Sequence, residues 1–94
     1  MDPFNIVIKN GNEQLDLNIH PQEAGGYKII YHGALVGQIF MGQGGSWEAI
    51  SANDLDIVTY PVYEYDETSG HADMLLEQEL VQRIGGEIKK TTNR

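Results

Sequence analysis

The sequence predicts an α+β fold: an antiparallel sheet of four to five strands with one C-terminal helix packed on one face. Three observations support this prediction. Apolar residues alternate with polar ones over much of the first half, glycine-containing turns separate the alternating runs, and apolar residues recur at every fourth position near the end. With 94 residues, 40% of them hydrophobic, the chain can close one core but not two, so residues 1–94 are expected to form a single small domain.

The first two strands are expected to form a hairpin. Apolar residues alternate over 4–8 and over 15–19, with Val7 as the exception. The intervening Asn10-Gly11-Asn12 is a strong turn signal, because Asn and Gly tolerate the positive φ angles of a tight hairpin turn. Two registers are open: Leu15 faces Ile6 if the loop is Asn10-Gly11, and faces Ile8 if the loop is Gly11-Asn12. Both registers keep the apolar residues on one face.

The third and fourth strands are predicted at 27–31 and 35–41, joined by a three-residue loop at 32–34. This loop would place Tyr31 opposite Leu35. Both faces of the pair are partly apolar, as expected for strands in the middle of a sheet. The face away from Tyr31 would carry Lys28, Ile30, Val36 and Gln38.

Gly37 lies inside the fourth strand, where a glycine marks a bulge or leaves room for a large neighbour. Tyr31 and Trp47 are the candidates for that neighbour. A glycine-rich turn at 42–46 leads to a fifth strand at 47–51. The segment 57–65 has strand-like residues, but Pro61 lacks a backbone donor and limits it to an edge strand or an ordered loop.

The C-terminal helix is expected to begin at about Asp73, with Asp73 or Ser69 as its N-cap. Because glycine is unfavourable inside a helix, Gly85-Gly86 leaves two possibilities: the helix stops near Ile84, or the glycines let it approach the sheet closely. Residues 91–94 are expected to be a frayed tail. The candidate core combines strand residues with the helix stripe: Ile6, Leu15, Leu17, Ile29, Tyr31, Ile39, Trp47, Leu76, Leu80, Ile84 and Ile88.

Charge excludes several function classes. Six Lys and Arg stand against fourteen Asp and Glu, so the net charge is −8 at pH 7. This negative field disfavours direct binding to nucleic acid or to a membrane surface.

The sequence has no apolar run long enough for a transmembrane helix or a secretory signal, and we expect a cytoplasmic protein. With no cysteine, it has no disulfide framework and no thiolate metal site.

The distribution of charge singles out one segment. No Lys or Arg occurs over 29–82, whereas nine of the fourteen acids do. Within it, carboxylates alternate with tyrosines, which suggests a docking face for a basic partner protein, since complementary charge speeds association and tyrosine supplies contact area. The alternative is a solvated loop whose tyrosines rest on the core. The candidate partner-binding residues are Tyr60, Tyr63, Glu64, Tyr65, Asp66 and Glu67.

No motif indicates catalysis, so we predict no catalytic residues, no cofactor and no metal site. His20, His32 and His71 lack the local spacing of metal ligands. The glycine-rich turn at 42–46 lacks the lysine and the following helix of a phosphate-binding loop. No serine lies in a nucleophile-elbow motif.

Together these observations predict a small non-enzymatic interaction or adaptor protein, acting alone or as a homodimer. An exposed strand edge, such as one near Pro61, would give a route to dimers or to strand addition. The alternative is an acidic inhibitor or immunity-type protein that occupies a basic or nucleic-acid-binding site of its partner.

Overall fold

A computed structural model of the chain describes residues 2–10, 13–23, 25–52, 55, 61–64, 68 and 76–92. It confirms the α+β fold: one antiparallel sheet of five strands, in the order β1-β2-β3-β4-β5, with one helix packed against it. The elements are β1 (Phe4–Asn10), β2 (Glu13–Pro21), β3 (Tyr27–Tyr31), β4 (Ala34–Met41), β5 (Trp47–Ser51) and α1 (Gln78–Thr92).

The β1–β2 hairpin adopts the second of the two predicted registers. Ile8 pairs with Leu15 and Asn10 with Glu13, so two residues, Gly11 and Asn12, connect the strands. The inward residues of both strands are buried against α1, whereas Val7 is 49% exposed on the other face. Alternation in the sequence therefore identified the buried face correctly.

The β3–β4 turn is shorter than predicted. His32 and Gly33 have φ angles of 50° and 79°, the pair of positive values that a two-residue type I′ turn requires. Tyr31 therefore pairs with Ala34, and the predicted pairing of Tyr31 with Leu35 is wrong.

A β-bulge in the β3–β4 pair shifts the register between Ile29 and Ile30. Ile30 pairs with Leu35 but Ile29 pairs with Gly37, which leaves Val36 as the extra residue. Val36 consequently joins the core under α1, while Leu35 turns to the opposite face beside Ile30. The predicted placement of Val36 on the outer face is wrong for this reason.

A small second cluster covers one end of the outer face. Ile30, Leu35 and Ala52 are buried there, with Leu55 and Val62 packed against them. The Leu35 amide donates to Pro61 O at 2.7 Å, and the Tyr63 amide donates to Leu35 O at 2.8 Å. Pro61–Tyr63 is thus ordered along β4 through one parallel bridge, as the proline predicted.

Helix α1 begins and ends later than predicted. Its first turn closes when the Val81 amide donates to Glu77 O at 2.9 Å, and Leu76 before it is not helical. The predicted N-cap residues Asp73 and Ser69 lie outside the described residues. The helix continues to Thr92, whose hydroxyl donates to Ile88 O at 2.9 Å, so Thr91 and Thr92 belong to the helix. Residues 93 and 94 lie outside the described ranges.

The core under α1 contains most of the predicted residues. Trp47 and Leu76 are half-buried at its margin rather than fully buried. Four buried residues of this core were not predicted: Ile8, Ile19, Val36 and Val81. Within the described ranges, no helical segment has the length and apolar character that a bilayer crossing requires.

Gln82 and Arg83, adjacent on α1, bond to the two opposite edges of the sheet. The Gln82 amide group pairs with the backbone of Trp47 on β5: Nε2 donates to Trp47 O at 2.7 Å and Oε1 accepts from Trp47 N at 3.2 Å. Arg83 Nη1 donates to Lys9 O on β1 at 3.0 Å. The helix therefore connects the first and last strands of the sheet through side-chain hydrogen bonds.

The Gln82 bonds give a stability prediction. Gln82→Glu keeps an acceptor for the Trp47 amide but places a carboxylate against Trp47 O, so we expect a loss of about 2 kcal/mol in the free energy of unfolding. Gln82→Ala should lose about 1 kcal/mol. Urea unfolding followed by the fluorescence of the single tryptophan measures both. The control Lys89→Ala, at an exposed helix position, should change stability by less than about 0.5 kcal/mol; equal losses in all three variants would contradict the prediction.

Candidate interaction surface

The acidic tyrosine-rich segment is only partly described. Tyr60, Tyr65, Asp66 and Glu67 lie outside the described residues. Tyr63 is half-buried, and its ring packs edge-on against Tyr31 with 5.2 Å between ring centroids. Glu64 is exposed. Tyr63 therefore contributes packing on the sheet, and the docking face at these positions stays a prediction, as does the inhibitor function that depends on it.

The outer edge of β1 offers a second surface. Because β1 is the first strand in the sheet order, β2 pairs with one of its sides, and no other described strand pairs with its outer side. Lys9 O bonds to Arg83 rather than to β2, so the Lys9 peptide groups point outward. Strand geometry repeats every second residue, and the N–H and C=O groups of Val7 and Asn5 therefore point outward as well.

A groove of about 550 Å³ runs between this edge and α1. Residues 7–9 of β1 form one wall, and the other is formed by Arg83, Gly86, Glu87 and Lys90. A methyl group at Gly86 would have no atom within 4 Å among the described residues outside the helix backbone, so the groove is open above this glycine. The groove thus adjoins the outward-facing backbone of the edge strand.

The charges around the groove pair with neighbours on the same helix. Arg83 Nη2 lies 2.8 Å from Glu79 Oε1, and Lys90 Nζ lies 3.3 Å from Glu87 Oε1. All four side chains are more than a third exposed, so water screens these ion pairs and each contributes little to stability.

The sequence carried one signal of this surface. Val7 interrupts the alternation of the first strand and places an exposed apolar side chain on the outward face of the edge strand. The groove itself had no local signal, because Lys9 and Arg83 are 74 positions apart in the chain.

A larger cleft of about 730 Å³ lies at the β4–β5 turn. Its walls are the turn backbone together with Phe40, Met41, Trp47, Glu48 and Gln78. Its polar side chains are one carboxylate, two amides and one hydroxyl, which do not form an acid–base pair or a nucleophile with its base. Among the described residues, no three His, Asp or Glu side chains converge on a point where a metal ion would bind.

The comparisons with known proteins give no match: no family model, no curated protein and no solved structure is significantly similar to the chain.

Proposed function

We propose that this chain is a small non-enzymatic interaction protein that binds an extended segment of another polypeptide along the outer edge of β1. The observation that supports the proposal is the outward-facing peptide groups of Asn5 and Val7 beside the β1–α1 groove. Strand addition satisfies such groups with main-chain hydrogen bonds, and the pockets beside the edge select side chains.

The two ends of the edge differ in availability. Arg83 already bonds Lys9 O, which protects that end of β1 against unselective pairing. The partner strand therefore makes its main-chain hydrogen bonds to Asn5 and Val7. On the outer face, the exposed Val7 side chain supplies an apolar contact to the added strand.

Replacing Val7 with proline tests the proposal. The Val7 N–H points away from β2, so proline removes a donor that the folded monomer does not use, and an edge strand tolerates it. We expect Val7→Pro to remain folded, with a loss of about 1 kcal/mol or less for the restricted φ angle, and to lose partner binding. Val7→Thr keeps the N–H and the branched shape but replaces one methyl group by a hydroxyl, so it should retain binding with a small loss of affinity.

The measurement is quantitative affinity capture from cells that produce the protein, combined with a photo-crosslinker at Asn5. Support requires a near-stoichiometric protein that the original chain and Val7→Thr capture, that Val7→Pro loses, and that crosslinks at Asn5. Identical capture by all three chains would contradict strand addition at β1. Turnover by the purified chain in a broad hydrolase panel would contradict the non-enzymatic part of the proposal.

A further inference from the structure

We infer that the occupant of the β1 edge is an extended acidic segment of a partner protein. This inference rests on the proposed function, because it assigns the chemistry of the strand that adds to β1. The distribution of charge on the surface supports it: an edge enriched in cations on a chain that is otherwise strongly acidic.

Three of the six Lys and Arg residues of the chain line the β1–α1 groove, where Glu87 is the one carboxylate in the wall among the described residues. The net charge of the whole chain is −8. Because Arg83 pairs with Glu79 and Lys90 pairs with Glu87, the excess of positive charge around the groove is small and comes from Lys9. On a molecule that is negative overall, this excess favours a ligand of negative charge at this edge.

The cations stand on both faces of the edge. Lys9 is exposed on the outer face, because Ile8 beside it is buried under the helix. Arg83 and Lys90 are on the helix side. Side chains of an added strand alternate between the two faces, so acidic residues at every second position meet Arg83 and Lys90 on the helix side or Lys9 on the outer face.

The existing ion pairs do not prevent Arg83 and Lys90 from contacting acidic side chains of the added strand. The side chains of Glu79 and Lys90 are each 77% exposed, so one member of each ion pair is surrounded mainly by water. The open space above Gly86 admits a side chain of the incoming strand between Arg83 and Lys90.

A second copy of the chain fits this edge less well. Pairing β1 with β1 of another copy would bring the two sets of groove cations together, and it would join two molecules that each carry a charge of −8. An acidic segment of a different protein brings no second set of cations to the groove.

The test titrates the ¹⁵N-labelled full chain with unlabelled peptides of about six residues, the length of a typical strand. In the three probes, threonine alternates with glutamate, glutamine or lysine. NMR chemical shifts report both affinity and location, and they detect millimolar binding. The matched variants are Lys90→Glu, which reverses a charge in the groove wall, and Lys89→Glu, which makes the same change on α1 outside that wall.

We expect the glutamate peptide to shift the amides of β1 and of the facing residues of α1, with an affinity that falls as salt rises. Lys90→Glu should weaken this binding about fivefold, as expected for an exposed charge pair, and Lys89→Glu less than about twofold. Val7→Pro should abolish it.

The contradicting outcomes separate the inference from the proposed function. If the glutamine or lysine peptide binds as tightly as the glutamate peptide and Val7→Pro abolishes binding, strand addition stands and the acidic partner is wrong. If Val7→Pro binds the glutamate peptide as tightly as the original chain does, or if the two lysine variants lose equal affinity, the peptide adsorbs by charge alone and the inference fails.

A dimer in analytical ultracentrifugation that Val7→Pro dissociates would assign the edge to a second copy and overturn the inference. Absence of shifts with every peptide would also overturn it, whereas the capture experiment tests the proposed function independently.

Discussion

Gly85→Ala is expected to lower the free energy of unfolding by about 2–3 kcal/mol, the cost of overpacking a filled site. A methyl group at position 85 would lie 2.3 Å from Trp47 Cε2 and 2.4 Å from Cδ1 and Cδ2, all in the body of the indole. The ring has little freedom to retreat, because Gln82 holds the Trp47 backbone by two hydrogen bonds and the Tyr27 ring lies 6.0 Å away between centroids. For a domain of this size, the change corresponds to a fall of roughly 10–20 °C in Tm.

Gly86→Ala is the matched control, one position along the same helix. A methyl group there meets no described atom within 4 Å outside the helix backbone, and alanine is a better helix former than glycine. We expect Gly86→Ala to raise stability by up to about 1 kcal/mol. Thermal unfolding followed by circular dichroism measures both variants.

A double variant separates the clash from a general intolerance of α1 to change. Trp47→Leu removes the ring that the new methyl group would strike, so the combination with Gly85→Ala should cost less than the sum of the two single changes. Additive losses, or equal losses in Gly85→Ala and Gly86→Ala, would contradict the packing of the indole on Gly85.

Local sequence patterns predicted most of the fold. The alternation of the first two strands set their buried face, and the fifth strand, Trp47–Ser51, has the predicted bounds. The Gly85-Gly86 pair left two possibilities open, and the structure shows the second: α1 continues through both glycines and brings Trp47 against Gly85. The helix start was wrong because Leu76 fits the four-residue apolar period while its backbone is not helical; it packs on the sheet instead.

The remaining errors have a common physical origin. His32 takes a positive φ that is uncommon for a residue other than Gly, Asn or Asp, so the two-residue turn had no strong signal. The bulge at Val36 depends on how β3 and β4 pair, which a pattern within one strand does not encode. The β1–α1 groove depends in the same way on tertiary contact, since residues near the two ends of the chain form its walls.

Gly37→Ala is expected to lower the free energy of unfolding by about 3 kcal/mol, at the upper end of the usual cost of overpacking. A methyl group at Gly37 would lie 2.5 Å from the backbone O of Ile50 and 2.6 Å from Leu76 Cδ1. Leu76, rather than Tyr31 or Trp47 as predicted, is thus the side chain that uses the space at this glycine. A side-chain methyl group can rotate away, but the Ile50 carbonyl belongs to β5 and moves only if the β4–β5 pairing is displaced.

Gly44→Ala provides the control for this change, because a methyl group at Gly44 in the β4–β5 turn meets no described atom within 4 Å. We expect it to alter stability by less than about 0.5 kcal/mol. Urea unfolding gives the two free energies, and amide shifts of β5 report where Gly37→Ala acts. Because the new methyl group also clashes with the backbone of β5, Gly37→Ala should still lower the free energy of unfolding when it is combined with Leu76→Ala, although by less than it does alone. If the double variant Gly37→Ala, Leu76→Ala is as stable as Leu76→Ala alone, the Leu76 side chain alone occupies the space. That result would contradict a close approach of the Ile50 backbone.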